Sequence, residues 1–137
     1  MRRAAAVLAI LLTAALVTGC AGATSGDSSG KFQGQQRLVA NTVEDLQSAG
    51  SKGDQNEVCG QLLARDLVQR LSRGGSCERT VDAALKDVDT FDLTVESVAV
   101  RGTTATARVK TENGDKDKVV TLGFVREARR WKISNLG

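Results

Sequence analysis

The sequence predicts an α+β fold in which three N-terminal helical segments pack on one face of a four-stranded antiparallel sheet. Apolar residues recur at helical spacing between residues 36 and 88, whereas from Phe91 onward they alternate with polar residues. Helices followed by strands are typical of α+β domains with the helices on one face of the sheet. Turn signals such as Asn113-Gly114 indicate hairpins, and hairpins make the sheet antiparallel.

The helical part divides into three segments. The first is marked by apolar residues at helical spacing, Val39, Val43 and Leu46. Two stop signals, Gly50 and Gly53, follow it. The second segment begins at Asp54, which forms a capping-box pattern with Glu57. The third begins with Ser76 as its N-cap and has the clearest amphipathic pattern, carried by Val81, Ala84, Leu85 and Val88.

The strands are predicted from alternation with period two. In residues 91–95 the apolar positions are odd-numbered, and they then shift to Val98 and Val100. Such a shift turns the apolar set to the other face, so we expect a β-bulge near Glu96–Ser97. Turns are expected at Gly102 and around residues 127–130. The positions predicted to face the helices are Phe91, Leu93, Val120, Leu122, Phe124 and Trp131.

The chain begins with an export signal. Arg2 and Arg3 precede an uncharged apolar stretch at residues 4–17, and the small residue Gly19 follows it. This stretch is shorter than the roughly 20 residues that a membrane span requires. We therefore expect residues 1–19 to be removed as a signal peptide.

The segment "VTGC" at residues 17–20 resembles the lipobox of bacterial lipoproteins. The resemblance implies that Cys20 carries a diacylglyceryl group and becomes the mature N-terminus at the extracytoplasmic face of the cell membrane. Each buried methylene of the acyl chains contributes about 0.8 kcal/mol. An ordinary secretory signal followed by a chance cysteine is the alternative. Residues 20–35 are rich in Gly and Ser and read as a flexible tether, and residues 36–137 form one domain.

The other two cysteines are Cys59 and Cys77. With Cys20 acylated they form an even pair outside the cytoplasm, where disulfide bonds persist. Two free buried thiols are the alternative. We expect no metal site at this pair, because two thiolates do not complete a zinc tetrahedron and the chain has no histidine.

A bond between these cysteines requires a break in the second helical segment. In one straight helix Cys59 would lie about 21 Å from Arg73. The return from Arg73 to Cys77 spans at most about 14 Å, whereas bonded Cα atoms lie within roughly 7 Å of each other. We expect the break between Gly60 and Asp66, because Asp66 repeats the capping-box pattern with residue 69.

The sequence predicts no catalytic residue and no cofactor, and we expect that the protein is not an enzyme. It contains no histidine and no tyrosine, which removes the commonest general base and a common proton donor. The alternation places Asp92 and Glu96 among the polar positions of the first strand, which face away from the helices. The expected bulge could instead turn the Glu96 side chain toward the helices. A group of carboxylates at Glu112, Asp115 and Asp117 lacks the spacing of a calcium loop and reads as a charged hairpin tip.

Basic residues cluster in "REARRWK" at residues 126–132. The cluster could contact anionic lipid or the acidic face of a protein partner, because exposed Arg and Trp are favoured at interfaces. A solvated turn is the alternative. The formal charge of +3 falls to +1 when the signal is removed, so we expect no nucleic-acid partner.

The order of elements and the final "RRWKISNL" at residues 129–136 resemble the nuclear transport factor 2-like (cystatin-like cone) superfamily, whose closing strand often carries a Trp-x-Ile/Val pattern. The resemblance implies that the four-stranded sheet is curved and cone-like and wraps the helices. "GGSC" at residues 74–77, with Cys59 followed by Leu62 and Leu63, is similar to small actinobacterial lipoproteins of this type. That group implies no chemistry, whereas the superfamily includes dehydratases and isomerases. The function expected is a non-catalytic interaction or accessory module. The alternatives are a carrier of a small apolar ligand in the cone and a cone-type enzyme.

Overall fold

The computed structural model describes residues 28–88, 91–113 and 116–137, and these residues form a helical layer on one face of a four-stranded sheet. The helices are α1 (Gly34–Lys52), α2 (Gln55–Glu57), α3 (Arg65–Leu71) and α4 (Cys77–Lys86). The strands are β1 (Asp92–Arg101), β2 (Thr104–Asn113), β3 (Lys116–Glu127) and β4 (Arg130–Asn135). Their order is β1-β2-β3-β4 and all neighbours are antiparallel. The predicted α+β class is confirmed. Cys20 and the predicted signal lie outside the described residues.

The predicted helix starts at Asp54 and Ser76 are confirmed. Asp54 Oδ1 accepts a hydrogen bond from the Glu57 backbone N–H at 2.9 Å, and Ser76 caps α4 in the same way. Helix α1 ends at Gly53, whose φ of 66° is the left-handed conformation typical of a helix end. The predicted stop at Gly50 is wrong, because Gly50 lies inside α1 and packs against Phe91.

The second helical segment is broken where the sequence predicts. A π-helical turn at Val58–Leu62 follows α2, and Leu63 and Ala64 are extended. Leu63 forms a parallel bridge with Ile133 of β4, and the Ala64 N–H donates to the Ile133 carbonyl at 2.8 Å. The predicted cap at Asp66 is wrong, because the N-cap position is Ala64. Pairing with β4, rather than a side-chain cap, sets the start of α3.

The predicted bulge and turns lie where the sequence places them. The β1–β2 register shifts between Val95 and Ser97. Gly102 has a φ of 59° in the β1–β2 turn, and Ala128 and Arg129 have φ values of 47° and 67° in the β3–β4 turn. Two consecutive positive φ angles are typical of a type I′ hairpin turn. The predicted turn residue Gly114 lies outside the described residues.

The core lies between the sheet and α1. Most residues predicted to face the helices are buried, whereas Phe91 and Val120 are half-buried. Val81 and Leu85 of α4 are also half-buried, so α4 lies at the margin of the core rather than over its centre. The largest fully buried side chains are those of Phe124, Ile133, Val39, Val43, Val95 and Val109.

Both edges of the sheet are hydrogen-bonded by groups from outside it. At the β1 edge the backbone at positions 93, 95 and 98 bonds to the side chains of Gln47, Ser28 and Gln36. At the β4 edge the carbonyls at positions 133 and 134 accept from the Ala64 N–H and from Arg70 Nη2. Groups outside the sheet therefore satisfy part of the backbone at both edges.

Residues 28–35, assigned above to the tether, contact the domain in the structure. Ser29 is buried, and its N–H donates to Glu44 Oε1 at 2.7 Å. Phe32 is half-buried against the core. The described fold thus includes Ser28 onward, which shortens the remaining stretch from Cys20. None of the helices in the described ranges is both long and apolar enough to cross a membrane.

Candidate functional site

The side of the sheet that faces the helices is covered by buried apolar side chains. Trp131 and Phe124 are 5% and 2% exposed. The Trp131 Nε1–H donates to Gln35 Oε1 at 2.9 Å, so the one polar atom of the indole is satisfied. Among the described residues the buried polar or charged side chains are Ser29 and Thr42, neither of which is ionisable at neutral pH. This interior therefore offers no general acid or base.

A small apolar cavity of about 150 Å³ remains between α4 and the start of β1. Its walls are apolar side chains from the helices and from residues next to the strands, including Leu46, Val81, Leu85 and Phe91. Ligand pockets commonly exceed roughly 300 Å³. The walls of the cavity have the apolar character of a site for an apolar ligand. Its volume, however, is about half of what such a ligand commonly requires.

The carboxylates considered in the sequence lie on the surface. Asp92 and Glu96 are exposed, and Glu96 Oε2 lies 3.9 Å from Arg108 Nη2, so the bulge does not turn Glu96 inward. Lys110 Nζ lies 3.1 Å from Glu112 Oε1 and 2.8 Å from Asp117 Oδ2. Hydrogen bonds to Asp117 and Glu112 raise the pKa of Lys110. A cation of the chain itself therefore lies between these two carboxylates.

Metal ligands do not gather in the described part of the chain: no group of three or more His, Cys, Asp or Glu side chains that could hold an ion is present there. Asp115 of the predicted hairpin tip lies outside the described residues.

A polar groove of about 530 Å³ lies beside the β4 edge, and we call it the β4 groove. Apolar side chains of Leu63 and Val68 form part of its wall together with Cys59. The charged side chains that line it are Arg65, Arg130, Lys132 and Glu127. Three cations and one carboxylate give the groove a positive charge.

Hydrogen bonds tie this charged lining to the π-helical turn and α3. Arg130 Nη1 donates to Gln61 Oε1 at 3.1 Å, and Lys132 Nζ donates to the Gln61 carbonyl. The Arg65 backbone N–H donates to Glu127 Oε1 at 3.3 Å. Burial, and then the positive charge of Arg130, lower the pKa of Lys132. No acidic side chain in the described ranges lies within ion-pair distance of the three cations. An anionic group would therefore be favoured in the β4 groove.

Cys59 and Cys77, which the sequence predicts to be a disulfide pair, are bonded in the structure. The Cys59 and Cys77 sulfur atoms lie 2.06 Å apart and their Cα atoms 6.1 Å apart. The bond links the π-helical turn to the first residue of α4, and both cysteines are buried. It therefore fixes the wall of the β4 groove relative to α4.

Sequence reasoning found only part of this site. The basic cluster at residues 126–132 supplies Arg130 and Lys132, whereas Arg126 and Arg129 are exposed outside the groove. Gln61 and Arg65 were missed because they lie more than 60 residues away along the chain. The spacing of Arg130 and Lys132 by two residues in a strand was the available signal that both share one face.

No family model and no curated protein matches the sequence. Among solved structures, a SEC-C motif containing protein from Rhodopseudomonas palustris is similar, with a TM-score of 0.54, 15% identity, and coverage of 80% of this chain and 87% of that one. A designed NTF2 protein has a TM-score of 0.51, 13% identity, and coverage of 74% of this chain and 96% of that one.

An NTF2-like protein from Campylobacter jejuni has a TM-score of 0.47, 18% identity, and coverage of 76% of this chain and all of that one. At these identities the likeness concerns the fold alone. The chain has an α+β cone-type fold like that of nuclear transport factor 2-like (NTF2-like) proteins.

Proposed function

We propose that the chain is a lipoprotein, held at the extracytoplasmic face of a cell membrane by a lipid on Cys20, whose cone-type domain is a non-catalytic interaction module. The observation that carries the proposal is the apolar packing between the sheet and the helices, in which Trp131 and Phe124 are buried. A filled interior favours a role performed by the surface.

The location is supported by two features of the chain. The lipobox pattern at residues 17–20 follows an export signal, and the lipidation would use the cysteine left over by the Cys59–Cys77 bond. Disulfide bonds persist in oxidising compartments and are rare in the cytosol, so the bonded pair favours an exported domain. Two acyl chains give firmer membrane attachment than one.

The apolar-ligand carrier is the second candidate, and the apolar walls of the 150 Å³ cavity favour it. The small volume of this cavity argues for the interaction module, because a ligand of ordinary size would have to displace α4 or Phe91. An enzyme would need a buried acid or base, and the exposure of Asp92 and Glu96 argues against that role for either.

The anchor is tested by expressing the full-length chain in a bacterium that processes lipoproteins. We expect the mature protein to enter the detergent phase on phase separation, and its intact mass to show loss of residues 1–19 and addition of a diacylglyceryl group. The Cys20→Ser variant should stay in the aqueous phase, whereas a Cys59→Ser/Cys77→Ser variant should still enter the detergent. A water-soluble wild-type protein with a free thiol at Cys20 would overturn the anchor.

The interior is tested on the same purified protein by native mass spectrometry. Under ionisation conditions that preserve non-covalent complexes, we expect to observe only the mass of the lipidated chain, with no ligand bound. An additional non-covalent mass that disappears in a Leu85→Trp variant, which fills the cavity, would support the carrier instead.

A further inference from the structure

One end of the sheet brings together four separate parts of the chain. The β1–β2 turn and the β3–β4 turn meet there, since the Arg126 N–H donates to the Thr103 carbonyl at 2.8 Å. The first turn of α1 reaches the same end through the hydrogen bond of Gln35 to Trp131. The start of α3 also reaches this end of the sheet, where the Arg65 backbone N–H donates a hydrogen bond to Glu127 Oε1.

This end is strongly basic, and we call it the basic end. Its acidic side chains are Asp66 and Glu127. Its cationic side chains are Arg37, Arg65, Arg101, Arg126, Arg129, Arg130 and Lys132. The formal charge there is +5, so the rest of the chain from residue 20 carries −4, because that chain carries +1 in total. None of the seven cations forms an ion pair with an acidic side chain in the described ranges.

We propose that the basic end rests on the membrane and binds the phosphates of anionic lipid headgroups, with the β4 groove at the margin of the contact. The inference rests on the proposed lipid anchor at Cys20. It gives the anchored domain one orientation, in which the acidic remainder of the surface faces away from the bilayer.

The length of chain before the described residues permits this orientation. The eight residues 20–27 span at most about 27 Å when extended. Ser28 is fixed at the β1 edge by the hydrogen bond from the Val95 N–H, and Arg101 lies six residues further along that strand, about 20 Å away. A lipid on Cys20 can therefore enter the same leaflet that the basic end touches.

A membrane surface suits these cations better than an acidic protein. Six of the seven are exposed. Three of the seven line the shallow β4 groove, whereas Arg37, Arg101, Arg126 and Arg129 lie outside it. Cations that are spread over a surface can each contact the mobile phosphates of a membrane. Each Lys or Arg near an anionic membrane surface contributes about 1 kcal/mol to the free energy of binding. A lipid anchor combined with a basic patch is also a common two-part membrane attachment.

The experiment uses residues 20–137 with Cys20→Ser, which keeps every described residue and removes only the lipid. We expect this protein to sediment with vesicles of phosphatidylglycerol and phosphatidylcholine, and not with phosphatidylcholine alone. Binding should disappear at about 1 M salt, where the screening length is about 3 Å. A triple variant, Arg101→Gln/Arg126→Gln/Arg129→Gln, should bind anionic vesicles roughly 100-fold more weakly.

The matched control removes three positive charges at the opposite end, by Lys52→Gln/Lys116→Gln/Lys118→Gln. It should bind within about two-fold of the parent. Equal weakening by both triple variants, or equal binding to anionic and neutral vesicles, overturns the proposal. Binding to polyglutamate without binding to vesicles also overturns it and indicates an acidic protein partner. Because this protein carries no lipid, its result is separate from the detergent-phase test of the anchor.

In lipidated protein reconstituted into the same two kinds of vesicle, hydrogen exchange at residues 101–104 and 126–130 should slow only on the anionic vesicles. Unchanged exchange on anionic vesicles would contradict the proposed orientation even where the lipid anchor itself is confirmed.

Discussion

The indole of Trp131 donates a hydrogen bond to the side chain of Gln35 across a sequence separation of 96 residues. The bond joins the closing strand to the first turn of α1. It also explains how an indole on the helix-facing side of the sheet can be 5% exposed without leaving its N–H unpaired. The packing of α1 on the sheet and the filling of the interior therefore depend on the same contact.

Replacing Gln35 by Ala should lower the free energy of unfolding by about 1 kcal/mol, because the Trp131 Nε1–H would lose a part-buried hydrogen bond. Urea denaturation measures the change. Gln33→Ala is the control, since the Gln33 side chain makes no capping hydrogen bond at the start of the same helix. Equal denaturation midpoints for the two variants would contradict this account.

Removing the disulfide by Cys59→Ala/Cys77→Ala should lower the free energy of unfolding by about 3 kcal/mol, the value expected for a closed loop of this length. Wild-type protein kept in reductant should unfold at nearly the same denaturant concentration as the double variant. If reduction left the midpoint unchanged, the bond would contribute nothing to stability.

The Gly50→Ala variant should be destabilised by about 1–3 kcal/mol, because a Cβ there would lie 2.5 Å from two ring atoms of Phe91. The control is Gly60→Ala, where a Cβ meets nothing within 4 Å. Adding Phe91→Leu to the Gly50→Ala chain should restore part of the loss. A Gly50→Ala protein as stable as the control would show that Phe91 moves aside freely.

The pKa of Lys132 should rise in Arg130→Gln and fall further in Glu127→Gln, because Arg130 lowers this pKa and Glu127 raises it. Titration of the labelled lysine side chain by NMR measures both, and Arg129→Gln is the control. The pKa of Lys132 is lower in the folded chain than its value of about 10.4 in the unfolded chain. Lys132 therefore makes the free energy of unfolding rise as the pH increases from the folded-state pKa to the unfolded-state pKa. Shifts of the same sign in the two variants would contradict the assigned causes.

The sheet could be predicted closely because its determinants are local. Period-two alternation located the strands, and one slip in that alternation located the bulge between Val95 and Ser97. The distance argument on Cys59 and Cys77 also predicted the helix break, since chain length alone sets how far two residues can be apart.

The missed features depend on contacts between distant segments. The start of α3 follows from the pairing of Ala64 with Ile133, and the length of α1 follows from the packing of Gly50 on Phe91. The β4 groove joins residues near 60 to residues near 130, and no local pattern reports that proximity. Capping and stop signals failed at these positions because tertiary contacts override local preference.

The side chains along the two sheet edges also determine how neighbouring copies behave at high density. An unprotected edge would template strand addition by a second copy, and that process ends in polymers. At β1 this protection starts at Ser28, whose hydroxyl accepts the Val95 N–H. A protease that trimmed the chain beyond Ser28 would free that amide and open a route to edge-to-edge assembly. The first described residues therefore act as a guard against self-association as well as a connection to the rest of the chain.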